Sequence, residues 1–195
     1  MDKSEIIAQV CQALSGSQSE NAAKLLRKEY PFMKHAESKR TWSALKSTQF
    51  IFRDGFVCFY CGQRLVFPAT LRVISGLLKK EFPFHPNWKT SDCHRAYPEL
   101  SPTVDHRDPV TRDGLDVVEN FVTACWRCNS TKSNWTLKEL GRSNKPNSDS
   151  KKWDGLTNWF LEFVESRQGF LKANPQLKSW HRAAKQVIKS VQVAQ

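Results

Sequence analysis

The sequence lacks any long hydrophobic run. No apolar stretch approaches the ~18 residues that a membrane-spanning helix requires, and we expect no membrane partner. The chain also lacks internal repeats and extended low-complexity tracts, so its 195 residues predict one domain, or one small domain with helical extensions. The first residues do not resemble a secretory signal peptide. We therefore expect an intracellular, cytoplasmic protein.

Acidic residues are scarce relative to basic ones. The chain has 19 Asp and Glu against 30 Lys and Arg, a formal net charge of +11. Such a surplus indicates a polyanionic partner, most often nucleic acid, and a merely soluble basic protein is the alternative. Residues 141–195 carry 10 basic against 4 acidic side chains, whereas residues 56–140 carry 11 against 9. We expect the basic flanks to hold phosphates and the balanced middle to carry the chemistry.

The six cysteines do not form the pattern of a secreted disulfide framework. Four of them form two CxxC pairs, which are typical of one tetrahedral zinc site. A redox-active CxxC is the alternative, but that motif favours a single pair at a helix start in a βαβ context, which the sequence does not indicate. We therefore predict a structural Zn²⁺ held by four thiolates: Cys58, Cys61, Cys125 and Cys128.

Hydrophobic spacing and turn signals predict the order of the elements. Helical spacing occurs in residues 4–14, 19–30, 38–52 and 71–80. Residues 103–124 predict a hairpin, and a helix over 125–140 follows it. Two further amphipathic helices close the chain. The predicted fold class is α+β.

These elements divide the chain into four parts. We predict an N-terminal helical region, a zinc-stapled domain with an insertion, a linker and a C-terminal helical extension. Their boundaries are 1–52, 53–140 with the insertion at about 66–102, 141–152 and 153–195.

Between the two CxxC pairs lies Asp105-His106. Hydrolysis of a phosphodiester needs a base for water and a cation that neutralises the phosphate and the leaving oxygen. His106 can act as the base, and Asp105 is a hard ligand for Mg²⁺ or Mn²⁺. A lone His is more often an ordinary side chain, which is the alternative. Adjacent strand residues point to opposite faces, so we expect an irregular backbone at this pair.

Residues 53–62 and 103–134 resemble the HNH endonucleases of the ββα-metal superfamily. The resemblance implies a ββα-metal core with the four-cysteine zinc site. It also implies hydrolysis of DNA that leaves 5′-phosphate and 3′-hydroxyl ends. The long segment between the first CxxC pair and the Asp-His pair departs from minimal members of the family, and it leaves the approach of the substrate open.

The resemblance implies a role for four residues. Asp105 would be a metal ligand and His106 the general base. Asn120 would pin the hairpin loop and orient the histidine, and Asn129 would be the second ligand of the catalytic Mg²⁺ or Mn²⁺. For Asn129 alone, a helix N-cap is the alternative. Because an amide replaces the family's frequent histidine at that position, the identity of the catalytic metal stays open.

Four basic side chains near the motif are candidates for contacts with phosphate, and a solvated cation is the alternative for each. They are Arg107, Arg112, Arg127 and Lys132. The expected partner is double-stranded DNA. A homodimer is a further expectation, because one such site cuts one strand and a double-strand break needs either a dimer or two visits. Restriction or defence is the expected biological setting, and homing and phage packaging stay open.

Two other functions stay open at this point. The first is a non-catalytic zinc module that binds nucleic acid, which would not need the combination of Asp105, His106 and Asn129. The second is a nuclease directed at RNA, although no signature of single-strand RNA recognition is visible in the sequence.

Overall fold

The computed structural model describes residues 3–31, 42–87, 89–141 and 153–193. The chain forms two compact units, residues 1–39 and residues 40–195. The predicted linker lies outside the described residues except for Gly141. The four-part division expected from the sequence stays a prediction.

The first unit contains two helices, α1 (Lys3–Ser15) and α2 (Ser19–Glu29), which pack against each other. Both lie where the hydrophobic spacing predicts them. Ile6 and Val10 on α1 are buried, one helical turn apart.

The second unit begins with α3 (Ala44–Arg53), which is capped by the Ser43 hydroxyl accepting a hydrogen bond from the Lys46 amide at 3.1 Å. Residues 42 and 43 are not helical, so this helix begins later than the predicted residue 38. After α3, Val57 forms a single antiparallel bridge with Arg64. Helix α4 (Pro68–Leu77) and the short α5 (Ala96–Leu100) follow.

A two-stranded antiparallel hairpin forms the centre of this unit. It consists of β1 (Pro102–His106) and β2 (Phe121–Cys125), with Asp105 opposite Val122 and His106 opposite Phe121. Pairing continues past the strand ends, because the amide of residue 107 donates to the carbonyl of residue 120 at 2.8 Å. The expected irregular backbone at Asp105-His106 is therefore wrong.

The other edge of β2 is held by the end of α3. Asp54 accepts a hydrogen bond from the Thr123 amide at 2.8 Å, and the Arg53 guanidinium donates to the Phe121 carbonyl at 2.6 Å. These side chains satisfy strand groups that a third strand would otherwise pair. The hairpin is thereby fixed to α3.

Helix α6 (Trp126–Lys132) begins directly after β2. The prediction of a helix to residue 140 is wrong, because Ser133 turns out of the helix with a φ of 46°. At the other end, the Cys125 sulfur accepts a hydrogen bond from the Cys128 amide at 3.3 Å and caps the helix. A seven-residue helix is enough to carry Cys128, Asn129 and Lys132.

Three helices close the described chain: α7 (Thr157–Glu165), α8 (Phe170–Ala173) and α9 (Lys178–Val193). Helix α9 packs against α3. The main core joins these helices to α3 and α4. Its buried members are Ile51, Phe56, Phe67, Ala69, Val73, Phe160, Val164, Leu177 and Ala184. The fold is α+β, as predicted. Within the described residues, no helix is both long and apolar enough to cross a membrane.

Gly155 provides a test of this core. It has a φ of 66°, and a Cβ there would overlap the buried ring of Phe56. We expect Gly155→Ala to lower the free energy of unfolding by about 2–4 kcal/mol, because overpacking (~1–3 kcal/mol) adds to the strain of a positive φ (~1 kcal/mol). Chemical denaturation measures this change.

Gly169 is the matched control. It also has a positive φ, 78°, but a Cβ there meets open space. Gly169→Ala should therefore cost only about 1 kcal/mol. Equal destabilisation by the two substitutions would contradict the packing of Phe56 against residue 155.

Candidate functional site

The four cysteines of the CxxC pairs converge, with their sulfur atoms all within 4.8 Å of one another. Cys58, Cys125 and Cys128 are buried, and Cys61 is exposed. The first pair is shaped by a tight turn in which the Gly62 amide donates to the Cys58 carbonyl at 2.8 Å. Gly62 adopts a φ of 72°, which a residue without a Cβ accommodates readily. The four cysteines are positioned to hold a metal.

The electrostatics of this cluster fit a cation. A hydrogen bond with Cys125 and burial raise the pKa of the Cys58 thiol, and burial together with the neighbouring sulfurs raises the pKa of Cys128 to about 12. A positive charge among the sulfurs would favour the thiolate forms of Cys58 and Cys128. A tetrahedral set of thiolates is the donor set that Zn²⁺ prefers in structural sites.

Asp105 lies beside this cluster, on the face of the hairpin that packs against α6. Its Oδ2 accepts a hydrogen bond from the Tyr60 hydroxyl at 2.6 Å and lies 3.1 Å from the ammonium of Lys132. Burial and the Asp105 carboxylate raise the pKa of Tyr60, so its hydroxyl stays protonated and donates. The Asp105 side chain keeps 12% of its surface exposed. Two buried groups therefore hold the Asp105 carboxylate, and part of its side chain is still exposed to solvent.

Asn129 lies on the same face. Its amide nitrogen donates to the Thr103 hydroxyl at 3.0 Å, and Thr103 precedes Asp105 by two residues on β1. Side chains two apart on a strand share a face, so Asp105 and Asn129 lie on one side of the hairpin. A carboxylate and an amide oxygen are hard donors, which fit Mg²⁺ or Mn²⁺.

His106 turns to the opposite face, as the regular strand requires. Its ring packs edge-on against Phe121, with 4.7 Å between centroids. Its Nε2 lies 3.0 Å from Oδ1 of Asp116, in the loop between the strands. The His106 side chain is 13% exposed. The end of β1 thus presents a carboxylate on one face and an imidazole, paired with a second carboxylate, on the other.

Asn120 holds the loop that connects the strands. The side chain is buried, its Oδ1 accepts from the Asp108 amide, and its Nδ2 donates to the carbonyls of Asp108 and Leu115, each at 2.8 Å. The side-chain amide at the end of the loop is therefore tied to residues near the start and the middle of the loop. This positions the segment that carries Asp116.

The four basic candidates differ in their surroundings. Three arginines keep about half of their side chains exposed, and each pairs with a carboxylate of the same chain. The pairs are Arg107 with Asp108 at 3.1 Å, Arg112 with Glu139 at 3.4 Å and Arg127 with Glu99 at 3.4 Å. Arg107 and Arg112 also border a cavity of about 490 Å³ beside the loop.

Lys132 is placed differently from the phosphate contact expected of it. It is 1% exposed, and its ammonium donates to the His106 carbonyl at 2.8 Å in addition to pairing with Asp105. A cation enclosed in this way faces the interior and has little surface to offer to DNA. This placement does not support the expected phosphate contact.

Two residues of the site were not anticipated. Tyr60 lies inside the first CxxC pair, which could have drawn attention to it. Nothing in the sequence separates Asp116 from the neighbouring acidic residues Asp108 and Asp113.

Among the described residues, the four cysteines are the only group of three or more His, Cys, Asp or Glu side chains that is placed to hold a metal ion.

Comparison with known proteins gives one match. Residues 91–134 match the family model described as HNH endonuclease. This segment contains α5, the hairpin and α6, with Asp105, His106, Asn120 and Asn129. The chain therefore carries an HNH domain, which indicates a nuclease-type function. No curated protein and no solved structure matches the chain.

The cysteine cluster provides a second test. Purified protein should contain one zinc ion per chain, and Cys128→Ser should lose it. Because structural zinc contributes about 10–16 kcal/mol of binding free energy in small domains, the thermal midpoint should fall by about 10 °C or more. Elemental analysis and thermal unfolding measure the two effects.

Cys93→Ser is the control, because Cys93 is a half-buried cysteine outside the cluster. It should retain the zinc. A wild-type protein without bound metal after purification in zinc-containing medium would contradict the assignment of the cluster.

Proposed function

We propose that this protein is a metal-dependent DNA endonuclease whose four-cysteine cluster holds a structural Zn²⁺. The observation that carries the proposal is the HNH match over the hairpin and α6, where Asp105 and His106 lie at the end of one strand. Hydrolysis would leave a 5′-phosphate and a 3′-hydroxyl. The pairing of His106 with Asp116 also supports the proposal, because a carboxylate is a usual partner of a catalytic histidine.

His106 is the general base of the proposed reaction. When its Nε2 carries the proton that is donated to Asp116, the lone pair resides on Nδ1, which accepts a proton from the attacking water. The Asp116 carboxylate then stabilises the imidazolium that forms. Asn120 contributes by fixing the loop and therefore the position of Asp116.

Asp105 and Asn129 would hold the catalytic Mg²⁺ or Mn²⁺. When bound, such a cation neutralises charge on the phosphate and on the leaving 3′-oxygen. Asp105 and Asn129 lie on one face of the hairpin and His106 on the other, so the scissile phosphate would lie across the end of β1. The buried Lys132 adds a fixed positive charge beside Asp105.

The net charge of +11 favours nucleic acid as the substrate. Part of this charge forms a stripe on α9, where four exposed cations follow one another at helical spacing. They are Lys178, Arg182, Lys185 and Lys189, of which Lys185 also pairs with Glu165 on α7 at 2.9 Å. Helix α9 contains no Asp or Glu, and its buried residues Ala183, Ala184 and Val187 lie on the opposite face. A surface helix ordinarily mixes both signs, so a stripe of one sign fits the phosphate backbone of DNA.

Plasmid nicking in Mg²⁺ or Mn²⁺ tests the activity. We expect His106→Ala to lower the nicking rate by about 10²–10⁴-fold, the contribution of a general base. Asp116→Asn should cause a smaller loss, because the amide still accepts a hydrogen bond but does not stabilise an imidazolium. Asp113→Asn, an exposed change in the same loop, is the matched control and should cut at the wild-type rate.

Two results would decide against the proposal. If the wild type binds DNA but never cuts it under these conditions, the chain is a non-catalytic zinc module. If cleavage of RNA outcompetes cleavage of DNA in a mixed reaction, the substrate is RNA.

The α9 stripe gives a separate prediction. The triple substitution Lys178→Gln, Arg182→Gln and Lys189→Gln should weaken DNA binding and reduce the salt dependence of the affinity. The log–log slope should fall by up to about 0.9 for each phosphate that is no longer neutralised. Binding isotherms at several salt concentrations measure the slope.

Helix α2 supplies the control. Lys24→Gln, Arg27→Gln and Lys28→Gln remove the same formal charge from a helix on which Lys24 and Lys28 already pair with Glu20 and Glu29. If both triple variants changed the slope equally, the stripe would have no special part in binding.

A further inference from the structure

The Asp105 carboxylate is held by two buried groups that the proposed chemistry does not use directly. The Tyr60 hydroxyl and the Lys132 ammonium both contact the same oxygen, Oδ2, at 2.6 Å and 3.1 Å. Neither of these contacts uses Oδ1. A carboxylate gripped through one oxygen has a fixed orientation, so the direction in which it offers its other oxygen is also fixed.

Each of the two holding groups is close in sequence to one of the two CxxC pairs. Tyr60 lies between Cys58 and Cys61 in the first CxxC pair. Lys132 lies four residues after Cys128 on α6, and residues with that spacing share one face of a helix. Closure of the cluster around one ion therefore brings the hydroxyl and the ammonium together at Asp105.

The two groups are locked in place by their surroundings. Tyr60 is 8% exposed and packs in the same core as the cysteines, and Lys132 is 1% exposed. The tight turn of the first CxxC pair, which carries Tyr60, is also tied to the hairpin, because the Phe59 amide donates to the Thr123 carbonyl at 2.8 Å. Two side chains that cannot move determine where the carboxylate points.

We propose that Tyr60 and Lys132 are positioning residues through which the cysteine cluster orients Asp105 for its catalytic cation. The inference rests on the proposed function. It gives the structural metal a second role, because the metal then sets the geometry of a ligand in the neighbouring site as well as stabilising the fold. Removal of one hydroxyl, with the fold and the zinc unchanged, should therefore weaken binding of the second cation.

Tyr60→Phe is the direct test, since it removes only the oxygen that touches Asp105. We expect it to keep its zinc and to bind Mn²⁺ about 10- to 100-fold more weakly, the usual cost of losing a group that orients a metal ligand. Mn²⁺ binding is measured by electron paramagnetic resonance on the zinc-loaded, full-length protein without DNA. The Mn²⁺ concentration that gives half-maximal nicking should rise in parallel.

Tyr97→Phe is the matched control. Tyr97 is also buried, and its hydroxyl donates a hydrogen bond to the Leu71 carbonyl at 3.1 Å in a different cluster. Both variants lose a buried tyrosine hydroxyl, but only Tyr60→Phe should change Mn²⁺ affinity.

The outcomes separate this inference from the proposed function. Wild-type Mn²⁺ affinity in Tyr60→Phe would overturn it even if the protein is a nuclease. Loss of zinc from Tyr60→Phe would also overturn it, because the hydroxyl would then support the cluster itself. If the wild type binds Mn²⁺ through Asp105, as judged by loss of binding in Asp105→Asn, but cuts no nucleic acid, the proposed function fails and the comparison of affinities still decides the inference.

Discussion

Convergence of the two CxxC pairs is the constraint on which the rest of this domain depends. The pairs are far apart in the sequence, and their sulfurs lie within 4.8 Å of one another. Strand β2 runs directly into Cys125, and α6 begins at the next residue. A metal at this point would therefore fix the turn of the first CxxC pair, the hairpin and the helix relative to one another. A two-stranded sheet has too little apolar surface to do this unaided.

The proposed chemistry is divided between the two faces of one strand. Asp105 shares a face with Asn129 and the cysteine cluster, whereas His106 faces the loop and pairs with Asp116. Regular pairing through residue 106 creates this separation, so no unusual backbone is required. In the proposed mechanism, the phosphate lies at the end of β1, where it meets both the cation and the base.

Sequence reasoning succeeded where a local pattern carries the information. The hairpin, the positions of α1 and α2 and the grouping of the four cysteines follow from alternation, helical spacing and the CxxC motif. It failed where long-range contacts decide. Helix α6 ends at Lys132, well before the predicted residue 140. The interior placement of that lysine depends on a carboxylate from another element, which no spacing rule reveals.

The candidate site residues can be read from the order of the residues alone: four cysteines, an Asp-His pair and two asparagines. This is possible because the identity of a ligand is a property of the residue. The side chains that support those donors are known only once the chain has folded. Tyr60 and Lys132 meet at Asp105 because the cluster joins two distant segments, and Asp116 reaches His106 because Asn120 ties the loop. Contacts of this kind arise from chain packing in three dimensions, and a one-dimensional pattern does not encode them locally.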